Sequence, residues 1–264
     1  MKYYVVDAFA ERIFEGNPAG VCVLDEWPDE EKMAKIGMEN NLSETAFAVK
    51  DERGYGIRWY TPGGEIDLCG HATLAAAYVI NRFVEPESDT ILFHTPQYEL
   101  AVAKKGDIFE LDFPAIELKK YHVFPELTEA LGAEPAEVYL GRDLVVLLDS
   151  EETLKNLQPN FAKIKALKEG LAVFVTAAGE KYDFVSRAFW PKLDIDEDPV
   201  CGSMHCNLIP YWNMKTGKTR MVGRQMSSRG GTVYCEYRGD RVRVGGRAAL
   251  YSIADICVDE KERS

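Results

Sequence analysis

The feature that most constrains the fold of this chain is an internal duplication. Arg58–Pro62 (RWYTP) resembles Arg187–Pro191 (RAFWP), and each segment is followed by a Cys-Gly pair, at Cys69 and at Cys201. The two arginines are 129 residues apart and the two cysteines are 132 apart, which is half of the 264 residues. Landmarks that recur in one order at a nearly constant offset indicate two similar halves.

Each Cys-Gly pair stands directly before a stretch that is apolar on nearly every side. These stretches are His71–Phe83 and Ser203–Lys215. A helix that is apolar all round must be buried, and Pro210 predicts a kink in the second one. Short β-branched and aromatic runs, bounded by Gly, Pro, Asp and Asn, predict strands around them. We therefore predict an α+β fold with two similar domains, each a curled β-sheet or barrel around a central apolar helix.

The predicted domain boundary follows the strand that ends at Phe113. We expect an N-terminal domain of residues 1–116 and a C-terminal domain of residues 117–249, with residues 250–264 packing back onto the first. Further predicted elements are two surface helices with mixed charges, Asp29–Asn40 and Glu151–Leu167, and a strand at Gln225–Ser228.

Charge and composition exclude several classes of partner. The net charge of −12, from 31 basic and 43 acidic residues, disfavours nucleic acid and anionic membranes. The sequence has no apolar run of about 18 residues and no signal-peptide pattern at its N-terminus, so we expect a cytoplasmic protein with reduced cysteines. The negative net charge does not exclude a small anionic substrate, because backbone N–H groups can bind an anion within an acidic protein.

The start of each apolar helix is a candidate anion site. A helix N-terminus has free N–H groups and about half a positive charge. Gly70 and His71 stand at one such end, and Gly202 and Ser203 stand at the other. If both ends face one cleft, together they can hold an anionic substrate without a metal.

Several side chains near these ends have two interpretations. Taken alone, Glu44 is more typical of a solvated loop, but a carboxylate in a partly dry cleft can exchange protons near neutral pH. His71 can donate or relay a proton, although a lone histidine is more often a core residue. Asp198 fits a turn and Ser203 fits a helix cap, or both can contact substrate.

No motif in the sequence predicts a cofactor or a metal. The chain lacks the G-x-S-x-G and G-x-G-x-x-G patterns. A zinc site from Cys69, His71, Cys201 and His205 is conceivable, but no C-x-x-C or H-E-x-x-H pair supports it.

Four segments of the chain, spread along nearly its whole length, resemble the PhzF family of phenazine-biosynthesis-like isomerases. The matching segments are Asp7–Leu24, Asn41–Phe47, Arg58–Ala76 and Asp196–Cys206. The resemblance implies the diaminopimelate epimerase fold, with two similar domains and the active site in the cleft between them. It also implies a homodimer.

The resemblance assigns roles to individual residues. It implies that Glu44 is the acid/base that moves a proton across the substrate, with His71, Asp198 and Ser203 as supporting groups. The anion-binding ends then belong to Gly70 and Gly202, each preceded by a cysteine, Cys69 or Cys201. The best-known family member isomerises trans-2,3-dihydro-3-hydroxyanthranilate without a cofactor.

One departure from the family pattern favours a second interpretation. PhzF-like proteins usually have Thr where this chain has Cys201, whereas the related racemases and epimerases have one Cys before Gly in each half. Cys69 and Cys201 could therefore be the two bases of an amino-acid racemase or epimerase. Glu44 and His71 favour the isomerase. A third interpretation is a non-catalytic protein that binds an anionic metabolite.

Overall fold

Strands make up most of the regular structure in residues 1–258, the part of the chain that a computed structural model describes. The strands are β1 (Lys2–Ala8), β2 (Asn17–Leu24), β3 (Glu44–Asp51), β4 (Gly54–Thr61), β5 (Gly64–Ile66), β6 (Thr90–His94), β7 (Glu99–Lys105), β8 (Ile108–Pro114), β9 (Lys119–Tyr121), β10 (Glu137–Leu140), β11 (Leu144–Leu147), β12 (Val173–Ala178), β13 (Phe184–Phe189), β14 (Arg220–Gln225), β15 (Gly231–Tyr237), β16 (Arg241–Gly246) and β17 (Ala248–Asp255). The α-helices are α1 (Glu30–Asn40), α2 (Gly70–Phe83), α3 (Pro125–Leu131), α4 (Glu151–Asn156), α5 (Phe161–Ala166) and α6 (His205–Thr216).

The predicted helix over 151–167 is wrong as a single element. It is divided into α4 and α5, because Pro159 disfavours helical backbone at the residue before it and cannot donate a hydrogen bond. Both short helices have ordinary N-caps: Ser150 accepts from the Thr153 N–H and Asn160 accepts from the Lys163 N–H. The predicted strand at 225–228 is also misplaced, since β14 ends at Gln225.

The chain divides into two units. Among the described residues, unit 1 contains 1–111 and 246–258, and unit 2 contains 112–245. The expected boundaries, after residues 116 and 249, fall within about five residues of these. In unit 1, β17 pairs with β1, and residues 259–264 of the predicted returning segment lie outside the described residues.

The strand pairing repeats from one unit to the other. In unit 1, β1 and β2 are antiparallel, β2 and β3 parallel, β3 and β4 antiparallel, and β4 and β6 parallel. In unit 2 the same alternation links β10 to β11, β12, β13 and β14. An antiparallel series follows in each unit, and α2 and α6 occupy equivalent places in the order. The duplication seen in the sequence is therefore a duplication of topology.

Helix α2 is enclosed by the strands of unit 1, as its apolar sequence predicts. Ten of its 14 residues are buried, and it contacts β1, β2, β3, β6, β7 and β17. Ala75, Ala76 and Ala77 are fully buried, and their small side chains let the strands approach the helix closely. Across residues 1–258, no helix is long and apolar enough to cross a membrane.

Pro210 lies inside α6 and leaves one backbone carbonyl without a helical partner. Proline has no N–H, so the carbonyl of Cys206, four residues earlier, cannot receive its usual bond. It accepts instead from the N–H of Ile116, at 2.9 Å. The segment after β8 is thereby attached to α6 within unit 2.

The turn before β2 depends on a glycine that can be tested by substitution. Gly16 has φ +69, and an added Cβ would lie 2.1 Å from the Ala8 carbonyl oxygen, whereas Gly106 has φ +61 and open space around it. Gly106→Ala should cost about 1–2 kcal/mol of unfolding free energy, the price of left-handed backbone alone. Gly16→Ala should cost distinctly more, measured by urea denaturation. Equal losses would contradict the steric argument.

Candidate functional site

The sequence-predicted residues of unit 1 meet in one buried cluster. Glu44 begins β3, Cys69 immediately precedes α2, and His71 lies in the first turn of α2. Their exposed fractions are 9%, 6% and 7%. The solvated-loop interpretation of Glu44 is therefore wrong, because its strand places the side chain inside the unit.

His71 stands between the other two groups of this cluster. Its Nε2 lies 2.9 Å from Glu44 Oε2, and its Nδ1 lies 3.5 Å from Cys69 Sγ. The contact with Glu44 is ionic rather than a well-directed hydrogen bond, since neither atom has a partner at an ordinary hydrogen-bond angle. One imidazole thus connects a carboxylate to a thiol, an arrangement suited to holding or passing a proton.

Asn17 is a member of the cluster that sequence reasoning missed. Its side chain is buried at the start of β2, with Nδ2 3.3 Å from His71 Nδ1. The Asn17 amide thus gives Nδ1 a polar neighbour, while Nε2 faces Glu44. The signal was available, because Asn17 belongs to the Gly-Asn-Pro segment that carried the family resemblance.

The environment of the cluster changes two pKa values. Burial lowers the pKa of His71, but the contact with the Glu44 carboxylate raises it, and the pKa lies well above the usual 6.5. Burial, and next the charge of Glu44, raise the pKa of Cys69. We conclude that the thiol is neutral at neutral pH and that the raised pKa of His71 reflects its carboxylate partner.

Glu44, Cys69 and His71 also bring three potential metal-ligating atoms within 4.8 Å of one another. Thiolate, imidazole and carboxylate are ligands that zinc accepts. However, His71 turns a different nitrogen toward each neighbour, and a single metal would use only one of them. The geometry fits proton transfer better than a shared metal. His205 of the conceivable zinc set instead donates from Nδ1 to the Cys201 carbonyl oxygen, at 2.9 Å.

The predicted residues of unit 2 form a second cluster on the segment before α6. Asp198 is half-buried, Cys201 and Gly202 are buried, and Ser203 is exposed. Cys201 Sγ lies 3.4 Å from Ser203 Oγ. Burial, and next the charge of Asp198, raise the pKa of Cys201, so this thiol is also neutral at neutral pH.

The predicted second helix end is displaced from the expected residues. Whereas α2 begins at Gly70 as predicted, α6 begins at His205. Gly202 and Ser203 instead form a tight turn whose carbonyls accept from the N–H groups of His205 and Cys206. The N–H groups of Gly202 and Ser203 therefore belong to this turn, which lies directly before α6, and not to the first turn of the helix.

A duplicated ion pair precedes the Cys-Gly pair in each unit. Arg58 on β4 donates two hydrogen bonds to Glu65, both at 2.6 Å, and Arg187 on β13 donates two to Glu197, both at 2.8 Å. Each glutamate stands four residues before the cysteine of its unit. Bidentate arginine–carboxylate pairs fix orientation as well as distance. The repeated spacing of Glu65 and Glu197 could have predicted this.

The two clusters differ at the position of the carboxylate. Glu44 pairs with Ala19 at the start of the parallel pair β2–β3, and Val173 pairs with Leu144 at the start of β11–β12. The place of Glu44 is thus occupied by an aliphatic residue in unit 2. The duplication preserved the scaffold, but only unit 1 has a carboxylate at this strand position.

Comparisons with known proteins agree with this architecture. The family model for phenazine biosynthesis-like protein (PhzC-PhzF) matches residues 6–253. An uncharacterized isomerase of Pseudomonas aeruginosa is 47% identical over 95% of this chain and 96% of its own length. A PhzF-family crystal structure from Enterococcus faecalis has a TM-score of 0.94, at 50% identity over 96% of this chain and 97% of that one.

A more distant comparison bears on the fold alone. A probable proline racemase from Agrobacterium radiobacter has a TM-score of 0.64 at 9% identity, over 99% of this chain and 94% of its own. The expected fold, shared by PhzF proteins and racemases, is therefore confirmed.

The Glu44–His71 contact predicts a pH dependence of stability. A raised pKa in the folded state stabilises the protein below the unfolded value of 6.5, and this stabilisation is lost as pH rises through the folded value. The difference in unfolding free energy between the wild type and His71→Gln should therefore shrink as pH rises above about 6.5.

The partner of His71 can be identified by titrating its ring nitrogens by NMR. Glu44→Gln should lower the pKa of His71, because it removes the carboxylate at Nε2. Cys69→Ser should have a smaller effect, because the thiol is neutral over this pH range. A larger fall in Cys69→Ser would identify a thiolate–imidazolium pair instead.

Proposed function

We propose that this chain, which belongs to the phenazine biosynthesis-like (PhzC-PhzF) family, is an isomerase that moves a proton on a small carboxylate-bearing substrate without a cofactor. The family match confirms the resemblance found in the sequence. Two curated relatives that are 47% and 43% identical over nearly the whole chain carry the name isomerase. The buried cluster of unit 1 supplies the acid/base of this reaction.

The single observation that carries the proposal is the buried contact between Glu44 and His71. Glu44 is a buried carboxylate, and His71 at 2.9 Å keeps it from being an isolated buried charge. A carboxylate held in this way is positioned to act as a general base toward a substrate C–H bond. Glu44 removes a proton from an activated C–H bond, and the electron pair enters the conjugated system of the substrate. The carboxylic acid then returns the proton to a neighbouring carbon, so a double bond moves and no redox change occurs.

Only unit 1 has a carboxylate at the start of its parallel strand pair, and this asymmetry favours a mechanism with one acid/base group over a mechanism with two. An isomerase that transfers a proton between carbons on one face of a substrate needs a single shuttle, and Glu44 has only Val173 at its counterpart position. A racemase needs two bases on opposite faces. The two thiols that could serve, Cys69 and Cys201, are both kept protonated by burial. We therefore place the two-cysteine racemase second.

The remaining predicted residues have supporting roles in this proposal. The N–H groups of Gly70 and His71 lie in the first turn of α2, where they have no acceptor within the helix and favour an anion. We propose that they bind the substrate carboxylate and that Gly202, Ser203 and Asp198, in unit 2, also have substrate-binding roles. A trans-2,3-dihydro-3-hydroxyanthranilate-like compound is the first candidate, and the homodimer and cytoplasmic location stay predictions.

The proposal is tested by following deuterium uptake from D₂O by NMR. The panel contains trans-2,3-dihydro-3-hydroxyanthranilate, proline and common L-amino acids. Glu44→Gln should reduce exchange into the ring compound about 10²–10⁴-fold, the usual contribution of a general acid/base. Cys201→Thr, the residue usual in the family, should change exchange at most a few-fold.

The controls separate the three interpretations. Matching thermal melts of the two variants and the wild type would exclude unfolding as the cause of a loss. Exchange at an amino-acid α-carbon that disappears in Cys201→Thr would overturn the proposal in favour of the racemase. Saturable binding of panel compounds with no exchange in any of them would favour the binding protein.

A further inference from the structure

The segment from Asp198 to Ser203 carries all the predicted functional residues of unit 2, yet it is neither helix nor strand. The side chain of Gln225, at the end of β14, is completely buried beside it. Gln225 Oε1 accepts from the Cys201 N–H at 2.8 Å, and Nε2 donates to the Asp198 carbonyl oxygen at 2.6 Å. The partners settle the orientation of this amide, because a backbone N–H can only donate and a carbonyl can only accept.

These two backbone groups are the ones that would otherwise close a β-turn. A turn from Asp198 to Cys201 would join the carbonyl of its first residue to the N–H of its fourth. In this structure the Gln225 amide stands between them and satisfies both, so the turn is held open at a set width. A side chain does this only if it presents a donor and an acceptor side by side, which is a property of a primary amide.

Two other contacts fasten the same segment from outside. Ser227 Oγ donates to the Pro199 carbonyl at 2.7 Å, and Arg187 holds Glu197 directly before Asp198. Gln225 and Ser227 both belong to the stretch Gln-Met-Ser-Ser-Arg-Gly-Gly over residues 225–231, to which no role was assigned from the sequence. The amide contacts the two residues whose orientation matters most, Asp198 and Cys201.

We propose that Gln225 is a positioning residue of the reaction: its amide sets the direction of the Asp198 carboxylate and of the N–H groups that follow Cys201. This inference rests on the proposed function, in which those groups bind the substrate. Gln225 does not touch substrate. It acts by fixing the backbone on either side of Pro199 and Val200, where small displacements alter the fit of an anion.

The test uses a substitution whose hydrogen bonding depends on pH. In Gln225→Glu the carboxylate can still accept from the Cys201 N–H, but it cannot donate to the Asp198 carbonyl and is repelled by it. When protonated, the same group donates one O–H and restores the bridge. Burial raises the pKa of such a carboxyl above its ordinary range, which brings the change into an accessible window.

We expect kcat/KM for proton exchange in trans-2,3-dihydro-3-hydroxyanthranilate to fall about 10–100-fold in Gln225→Glu at about pH 8. Relative to the wild type at each pH, this loss should be largely recovered at about pH 5.5. Gln225→Met, of similar length but without donor or acceptor, should lose activity at every pH. Gln97→Glu, the same charge change at an exposed glutamine of unit 1, should follow the wild type throughout.

Equal, pH-independent losses in Gln225→Glu and Gln225→Met would overturn the inference, since they would indicate packing alone. Wild-type activity in Gln225→Glu at about pH 8 would overturn it as well. If the wild type itself does not exchange this compound, the proposed function fails for that substrate. The inference is then judged by the protection factor of the Cys201 amide, with the exchange rate corrected for the intrinsic rate at each pH: it should be high in the wild type, kept in Gln225→Glu, which still accepts from this N–H, and lost in Gln225→Met. Equal protection in all three would overturn the inference.

Discussion

The burial of one apolar helix in each unit is the constraint on which the other features depend. Helix α2 has almost no polar face, so strands must cover it on all sides, and only its end and the segment before it are left to carry chemistry. That end also has unpaired N–H groups and a positive partial charge. Reactive side chains therefore collect at the Cys-Gly pair, where the chain passes from the sheet into its enclosed helix.

Segments outside regular structure need fastening if they are to hold side chains in place. In unit 2 a bidentate pair does this, because Arg187 on β13 holds Glu197 directly before Asp198, whereas the equivalent pair in unit 1, Arg58 with Glu65, joins β4 to β5. Unit 2 adds the Gln225 amide. This additional support suits a segment in which Pro199 lacks an N–H and the following helix begins only at His205.

The duplication also explains why the two halves do not do the same work. A carboxylate buried at the start of a strand is costly unless a partner balances its charge. In unit 1, Glu44 has that partner in His71. In unit 2 the corresponding strand begins with Val173, and the residue after the Cys-Gly pair is Ser203 rather than a histidine. The carboxylate and the histidine that balances its charge are therefore present together in unit 1, and both are absent at the corresponding positions of unit 2.

The sequence by itself determined the duplicated topology, the apolar helices and the residues at the start of α2, because apolar periodicity and repeated spacing are local properties of the chain. It misjudged the extent of the 151–167 helix and the start of α6, where a proline and a tight turn override propensity. Tertiary structure alone decided that Glu44 is buried against His71 and that Asn17 and Gln225 reach the clusters. Such contacts join residues between 24 and 54 positions apart, and only the packing of strands on the helix brings them together.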